Sequence, residues 1–482
     1  MKKTLLRILC LALAFALVFS IAGCGKKNTA SFNEDAGDFD LDFGGSSTNS
    51  EDGKGEVSLK DDTSSKSGGT TKAATVTNAD SLSWSQLVSQ IPSSLRGTTV
   101  NFYNWNPIKE FTGAEAVITN FEKQTGIKVK WETGGYDDYD AKIAAMINAG
   151  NSPDIIRFRD GNIHRMYLCQ DVKSATGYDF SGEIWDKKVL AEYTVKGKVY
   201  AVNRKDTLFN QPYVFLYRKS IIDKYKLEDP YALWKAGQWN WNKFIDMCKQ
   251  YKEGEYGIPW RTNMGVDNLY IAGNSCITFD GSTYKNNLTS NEVSEAVKQM
   301  CNYKKSGYTD AGLRQPKDFE SGSILFMTFA NIATRKTNAW LTSVKADGDL
   351  YCVPIPSISG NDNVQWFSEV EAYGIPKGAK NAAATYYFLR YFLDADNYDT
   401  NTFFCNKQAY EVHKYCMSKG TYFTSKDTAL LDIVGTGGNL AGLSDFARQD
   451  NDFAQFATER DKIKPTFDLA VKKANEVLAK MP

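Results

Sequence analysis

The pattern of apolar positions between residues 98 and 158 switches repeatedly between the two-residue period of a strand and the spacing of a helix. The positions that carry it are Val100 and Phe102; Ala114, Val117, Ile118 and Phe121; Ile127, Val129 and Trp131; Tyr139, Ile143, Met146 and Ile147; and the segment SPDIIRF. Gly126 ends the first helical run, as glycine often does. The resulting β-α-β-α-β order predicts a parallel sheet covered by helices.

Aromatic and polar residues lie at the ends of these predicted strands. Trp105 and Asn106 come after the first strand, and the third ends at Phe158, close to Asp160 and Asn162. A later segment, EYGIPWRTN, has the same mixture after a short apolar run. Ligands of open α/β sheets bind beyond the carboxyl ends of the strands. These loops are therefore the first candidates for a binding site.

The first 23 residues have the layout of an export signal. A basic start is followed by an apolar run over residues 8–19, which is shorter than the roughly 20 residues of a membrane-spanning helix. The sequence IAGC, which ends at Cys24, resembles the lipobox of bacterial lipoproteins. That resemblance implies cleavage before Cys24 and lipidation of its sulfur and new amino group. The alternative is a plain secretory signal with a chance cysteine.

A polar stretch over residues 24–80 separates this signal from the rest of the chain. It is rich in Ser, Gly, Thr, Asp and Lys, a composition that cannot bury a core. As a flexible coil it has an end-to-end reach of roughly 40 Å. We therefore predict a tether over residues 24–80. Apolar residues at helical spacing then predict a lead-in helix within residues 81–96.

Composition excludes several classes of function. The chain has 57 basic and 57 acidic residues, so its charge gives no reason to expect a nucleic-acid partner. It has two histidines, His164 and His413, and neither lies in a zinc or nucleophile motif. We find no phosphate-binding glycine motif that leads into a helix. The sequence therefore predicts neither a cofactor nor a metal site.

The cysteines do not form a complete disulfide framework. Of nine, Cys10 lies in the signal and Cys24 at its end, which leaves an odd number, seven, with no C-x-x-C spacing. We expect most of them to be buried free thiols, and Cys405 and Cys416 are the pair to test for a bridge.

Several blocks resemble, in order, the family 1 extracellular solute-binding proteins of bacterial ABC importers, which have a maltose-binding-protein-like fold. The blocks are VITNFEKQTGIKVKW, AAMINAGNSPDIIRF, GKVYAVNRKDTLFNQPYVFLYRKSIID, QWNWNKFIDMCKQYKEGEYGIP, FESGSILFMT with DLYCVPIP, and EAYGIPKGAKNAAATYYFLRYFLD. The resemblance implies an α/β, two-lobe, periplasmic-binding-protein-like fold of type II. Each lobe is expected to be a mostly parallel sheet covered by helices, with the ligand cleft between the lobes.

The same resemblance implies boundaries for the lobes. Lobe one is expected over residues 97–209 and 328–379, and lobe two over residues 210–327 and 380–482. The chain is expected to cross between them near Gln211, near Met327 and between Gly374 and Pro376. These crossings are where we expect the hinge.

The resemblance also implies ligand contacts. They are Trp105, Asn106, Phe158, Asp160 and Asn162 from lobe one, Trp260 and Arg261 from lobe two, and Trp366 and Glu369 near the return crossing. Sugar sites need flat aromatic faces together with side chains that donate and accept hydrogen bonds, and these residues supply both. Core packing is the alternative for Trp105 and Trp260.

By this resemblance the protein is a monomeric, non-catalytic lipoprotein. It would capture a sugar or oligosaccharide by lobe closure and pass it to the permease subunits of an ABC transporter. Cys24 would hold it on the extracellular face of the cell membrane. Arg157, Arg159, Arg204 and Arg261 keep an acidic sugar or other carboxylate open, and a peptide or polyamine is a further alternative. A surface glycosidase or a sensor would use the same surface differently.

Overall fold

A computed structural model describes most of the chain after residue 77. The described residues are 78–136, 138–158, 163–252, 260–261, 276–305, 319–320, 324–330, 334–336, 341, 348–356, 365–369, 371–419, 421–423 and 453–482. For residues 260, 261, 365–369 and 421–423 the description concerns the backbone. The signal, Cys24 and the tether up to residue 77 lie outside the described residues.

Helices and strands alternate through the described residues. The helices are α1 (Trp84–Ser89), α2 (Ala114–Thr125), α3 (Tyr139–Asn148), α4 (Ile163–Leu168), α5 (Val172–Thr176), α6 (Lys187–Glu192), α7 (Lys219–Lys224), α8 (Pro230–Lys235), α9 (Trp241–Lys252), α10 (Asn291–Lys305), α11 (Ala382–Phe392), α12 (Thr400–Phe403), α13 (Lys407–Lys419) and α14 (Phe456–Lys480). The strands are β1 (Thr99–Asn104), β2 (Lys128–Thr133), β3 (Ile155–Phe158), β4 (Thr194–Val195), β5 (Lys198–Val199), β6 (Ala201–Val202), β7 (Gln211–Arg218), β8 (Trp260–Arg261), β9 (Ile277–Phe279), β10 (Tyr284–Asn286), β11 (Phe326–Ala330), β12 (Leu350–Val353), β13 (Gln365–Glu369), β14 (Ala372–Gly374) and β15 (Thr421–Phe423).

The first sheet has the strand order β2-β1-β3-β14-β6. β1 pairs in parallel with β2 and β3, so Phe102 lies opposite both Trp131 and Ile155. β14 runs antiparallel to β3 and to β6. The predicted parallel β-α-β-α-β unit is confirmed. The Phe102 ring is fully buried and packs 4.5 Å from Trp131, with Phe388 of α11 at 6.1 Å.

α2 shows why the sequence folds as it does at this point. Its apolar face, predicted from the helical spacing, is buried against the sheet at Val117 and Phe121. The helix ends at Gly126, which has a left-handed backbone (φ 72°) that other residues adopt at a cost. The periodicity and the glycine stop therefore both correspond to physical features of the helix.

The second sheet is built around β7. Its order is β15-β13-β7-β11-β8, and β12 also pairs with β7. β11 lies along one edge of β7, whereas β12 and β13 share the other. We call the first sheet with its helices lobe one, and the second sheet with its helices lobe two.

The strand pairing corrects the expected lobe boundaries. Residues 328–379 were assigned to lobe one, but β12 and β13 form hydrogen-bonded ladders with β7 of lobe two. Residues 380–482 were assigned to lobe two, but α11 packs on α2, α5 and β1 of lobe one. The return crossing consequently lies between Glu369 and Ala372, a few residues before the expected position.

The lead-in segment, residues 78–96, is held on lobe one. It contains α1, shorter than the predicted range, with 3-10 turns at Ala79–Ser81 and Ser93–Leu95. The Asp80 carboxylate accepts hydrogen bonds from Trp185 Nε1 (2.9 Å), Tyr386 Oη (2.6 Å) and the Gly182 amide (2.8 Å). Asp80, expected in the tether, is therefore part of the folded domain.

The seven cysteines after Cys24 are free thiols in the structure, six of them buried and Cys405 partly exposed. The expectation of buried free thiols is met, and Cys405 and Cys416 are not bridged.

Candidate functional site

The carboxyl ends of the lobe-one strands meet the crossings at one edge of the sheet. Trp105 and Asn106 follow β1 directly. β14 is antiparallel to β3, so Glu371, just before it, lies at the same edge. Gln211 begins β7 and pairs with Glu369 of β13, which places the outbound and return crossings side by side. The strand-end rule and the hinge therefore identify the same region.

Trp105 is packed rather than open. It is 5% exposed, and the Arg157 guanidinium carbon lies 4.4 Å from its ring centroid, with that of Arg165 at 5.3 Å. Tyr139 packs edge-on against it at 5.0 Å. Core packing, the alternative for Trp105, describes this arrangement.

Tyr136 is the exposed aromatic side chain at this edge. It is 47% exposed and packs edge-on against Trp105, with ring centroids 5.6 Å apart. Sequence reasoning missed it as a ligand contact, because the segment YDDYD was interpreted as a helix cap. Asp138 does occupy the N-cap position of α3, but its side chain makes no capping hydrogen bond and pairs with Lys142 at 2.8 Å. The strand-end rule, applied to β2, would have found Tyr136.

Asn106 is partly exposed, and the protein holds both atoms of its side-chain amide. Its Oδ1 accepts from Arg157 Nη1 at 2.6 Å, and its Nδ2 donates to Glu110 Oε2 at 2.6 Å. Its backbone amide donates to Asn104 Oδ1 at 3.1 Å. A primary amide has a second N–H and a second lone pair, so Asn106 can still bind a ligand from a fixed position.

Phe158 corrects one expected contact. It is fully buried, and its ring packs edge-on against Tyr193 at 5.3 Å. A Cβ on Gly374 of β14 would lie 2.5 Å from the Phe158 ring, so the ring fills the space that this glycine leaves. Phe158 belongs to the core because all four residues of β3 are buried.

The other expected contacts stay predictions. Asp160 and Asn162 lie outside the described residues. The backbone places Trp260 and Arg261 in β8, opposite Phe326 and Met327 of β11. In β13, Trp366 lies opposite Tyr422 and Glu369 opposite Gln211.

A buried arginine and glutamate lie at the centre of the edge. Arg157 and Glu371 have side chains 4% and 1% exposed, and Arg157 Nη2 donates to Glu371 Oε1. Glu371 Oε1 also accepts from Gln211 Nε2 at 3.1 Å, and Oε2 accepts from Tyr373 Oη at 3.2 Å. Burial and the nearby Glu371 carboxylate raise the pKa of Tyr373 well above its usual range, so this hydroxyl stays a donor.

The described arginines with complete side chains here are already paired. Arg157 pairs with Glu371, and Arg204 pairs with Asp206 at 2.7 Å and Asp394 at 3.1 Å. Their charges are therefore balanced within the protein. Among the described residues, no group of three or more His, Cys, Asp or Glu could hold a metal ion.

His413 of α13 contacts the segment that leads into the outbound crossing. Its Nε2 lies 3.2 Å from the Thr207 carbonyl oxygen, which can only accept, so the neutral ring carries its proton on Nε2. Burial lowers the pKa of His413 to about 3. The ring is therefore neutral in the folded protein at any physiological pH.

This histidine predicts a loss of stability in acid. The unfolded pKa is about 6.5, so the unfolded chain binds more protons between that value and the folded value of about 3. The free energy of unfolding falls as pH decreases through this window, by about 2 kcal/mol between pH 7 and pH 5. We expect His413→Gln to remove that share of the pH dependence in urea titrations. Burial also lowers the pKa of His164, so both proteins carry His164→Gln. Equal pH slopes would contradict the prediction.

Comparison with known proteins agrees with this architecture. Residues 116–402 match a family described as bacterial extracellular solute-binding protein. No curated protein matches the sequence. Among similar solved structures, the sugar-binding protein MalE from Xanthomonas citri is 12% identical, with a TM-score of 0.56 over 80% of this chain and 98% of that one.

Two further solved structures share the fold. One is the galacto-N-biose/lacto-N-biose I-binding protein of an ABC transporter from Bifidobacterium longum (16% identity, TM-score 0.56, 77% of this chain and 98% of that one). The other is the GacH receptor of Streptomyces glaucescens, solved with and without acarbose (16% identity, TM-score 0.54, 77% and 98%). These likenesses confirm the expected two-lobe α/β fold, and the match over more than half of its length shows that this chain belongs to the bacterial extracellular solute-binding proteins.

Proposed function

We propose that this protein captures a sugar or oligosaccharide between its lobes and delivers it to the permease of an ABC transporter. The observation that carries the proposal is the edge where exposed Tyr136, backed by Trp105, lies beside Asn106 and both crossings. The fold likeness to proteins named as sugar-binding supports the same choice. The mechanism is closure of the lobes around the crossings, with no chemical step.

The chemistry of this edge suits a sugar. A pyranose presents an apolar C–H face that packs on an aromatic ring and a rim of hydroxyl groups that donate and accept. Tyr136 supplies an exposed ring, and Asn106 supplies an amide of fixed position. The predicted contacts from lobe two, Trp260 and Arg261, would complete the site on closure.

A neutral ligand is favoured over an acidic one. Binding a carboxylate would require an arginine with donors to spare, whereas Arg157 and Arg204 already pair with acidic side chains. Separating a buried pair costs more than binding returns. A uronic acid, a peptide and a polyamine are therefore the comparison ligands for the test.

The test is thermal unfolding of the purified protein with neutral oligosaccharides, uronic acids, peptides and polyamines, each mixture being analysed afterwards for products. A ligand at 100 times its dissociation constant adds about 2.7 kcal/mol and raises the midpoint by several degrees. We expect a shift with one class of neutral sugar and no products. A shift with peptides or polyamines alone would refute the sugar proposal, and products would favour the glycosidase alternative.

Tyr136→Ala is expected to weaken sugar binding about ten-fold, because an aromatic contact contributes about 0.5–1.5 kcal/mol beyond the area it buries. Tyr136→Phe should bind nearly as well as the natural protein. Leu469→Ala is a matched control, since Leu469 is 45% exposed and lies on α14. Calorimetric titration measures the three affinities, and an unchanged value for Tyr136→Ala would remove Tyr136 from the site.

We propose further that Cys24 anchors the protein by lipid on the extracellular face of the membrane and that the protein acts as a monomer. Among the described residues, no helix combines the length and the apolar character needed to cross a bilayer. Lipid on Cys24 would give stable attachment. We expect Cys24→Ala to move the protein from the membrane fraction into the medium, as measured by immunoblotting. Membrane retention of this variant would contradict the lipid anchor.

A further inference from the structure

Arg157 connects the loop after β1 to the crossings. Its guanidinium lies over the Trp105 ring at 4.4 Å, and Nη1 donates to Asn106 Oδ1 at 2.6 Å. On its other side, Nη2 donates to Glu371, which stands just before β14. One buried side chain therefore contacts both proposed ligand-contacting residues of the loop and the return crossing.

Glu371 extends this connection to the outbound crossing. The oxygen that accepts from Arg157 also accepts from Gln211 Nε2 at 3.1 Å, at the first residue of β7. The Glu371 carbonyl oxygen accepts from Asn203 Nδ2 at 2.6 Å, just after β6. Gln211 also pairs with Glu369 through the backbone. Both chain segments that must bend during closure are thus held by the same carboxylate.

The geometry of these contacts leaves little freedom. A planar guanidinium fixes two partners at once, and here those partners lie on opposite sides of the putative hinge region: the loop after β1 and the start of β14. At about 4% and 1% side-chain exposure, water does not screen the pair. A change in the angle of the crossings therefore changes the position of Asn106 and the support of Trp105.

We infer that Arg157 and Glu371 are positioning residues that couple the ligand-contacting loop to closure of the lobes. This inference rests on the proposed function. It states that the pair raises affinity by holding Asn106 and Trp105 in register with the crossings, beyond any effect on stability.

The decisive variant replaces both partners with apolar residues, Arg157→Met with Glu371→Leu. Removing one partner leaves a buried unpaired charge, whereas replacing both with apolar residues is often tolerated. The double variant should therefore recover most of the stability that either single change loses. It cannot hold Asn106 Oδ1 or Gln211 Nε2, so we expect its affinity to remain about ten-fold or more below that of the natural protein.

Two comparisons separate positioning from folding. Arg157→Lys keeps the charge but loses the two-armed geometry, so it should lose affinity with a smaller loss of stability. Asp349→Asn breaks the Arg218–Asp349 pair of lobe two (2.8 Å), away from the crossings, and should lower the melting temperature without changing affinity. The full chain is purified in detergent and titrated with maltotetraose and lacto-N-biose.

The outcomes distinguish this inference from the proposed function. If the natural protein binds neither these sugars nor any other in the panel, the proposed function fails. The coupling is then decided by hydrogen–deuterium exchange without ligand. Exchange should rise selectively in the peptides that contain Asn106 and Gln211 in the double variant, and not in Asp349→Asn. Natural affinity in a folded double variant, or an exchange pattern like that of Asp349→Asn, would overturn the inference.

Discussion

Replacing Glu371 with alanine is expected to lower the free energy of unfolding by about 3–5 kcal/mol, because it leaves the buried Arg157 charge without its partner. The same change leaves Gln211 Nε2 and Tyr373 Oη without their acceptor. Groups that are buried without a partner bear the full cost of having lost water. Urea unfolding of the natural protein and the variant measures the effect.

An exposed ion pair is the control for this prediction. Lys173 and Asp179 lie 3.0 Å apart with side chains 65% and 61% exposed. Asp179→Ala should change stability by no more than about 1 kcal/mol, because water screens the pair. A Glu371→Ala effect as small as that of Asp179→Ala would show that Arg157 finds another partner.

Asp154→Ala is the second substitution with a large expected effect, about 3 kcal/mol. The carboxylate is 1% exposed and lies just before β3. Its Oδ2 accepts from the Asn101 amide at 2.9 Å in β1, and its Oδ1 accepts from the Asn381 amide at 2.7 Å at the start of α11. Alanine would leave both buried N–H groups without an acceptor and separate three elements of lobe one.

Asp154→Asn tests the mechanism of that loss. Asparagine keeps the size and one acceptor oxygen but presents an N–H group to one of the two amides. Its stability should therefore lie between those of the natural protein and Asp154→Ala in scanning calorimetry. If Asp154→Ala unfolds at the natural temperature, the carboxylate is not what holds α11 to the sheet.

The sequence predicts the first half of lobe one well, for identifiable reasons. The α2 helix has a regular apolar face and a glycine stop, and the strands around it alternate, so local pattern and tertiary burial agree. The lobe boundaries fail because β12 and β13 are four and five residues long and belong to lobe two through pairing with β7, more than 100 residues earlier. Such pairing leaves no local signal.

The candidate site divides in the same way. Trp105 and Asn106 are found because they follow a recognisable strand. Phe158 is misassigned because a fully buried strand gives no alternation to show which side chains point inward. Glu371 could not be found, since only the antiparallel return of β14 brings it to the edge of the sheet.

The attachment of the lead-in segment through Asp80 has a mechanical consequence. Trp185, Tyr386 and Gly182, which bind the Asp80 carboxylate, all belong to lobe one. Arg390 of α11 adds hydrogen bonds to the carbonyl oxygens of Asp80 and Leu82. Any tension in the tether therefore enters the molecule at lobe one and does not pass across the crossings. Pulling on the chain from its amino-terminal side would load the Asp80 contacts first, and lobe two would remain free to swing.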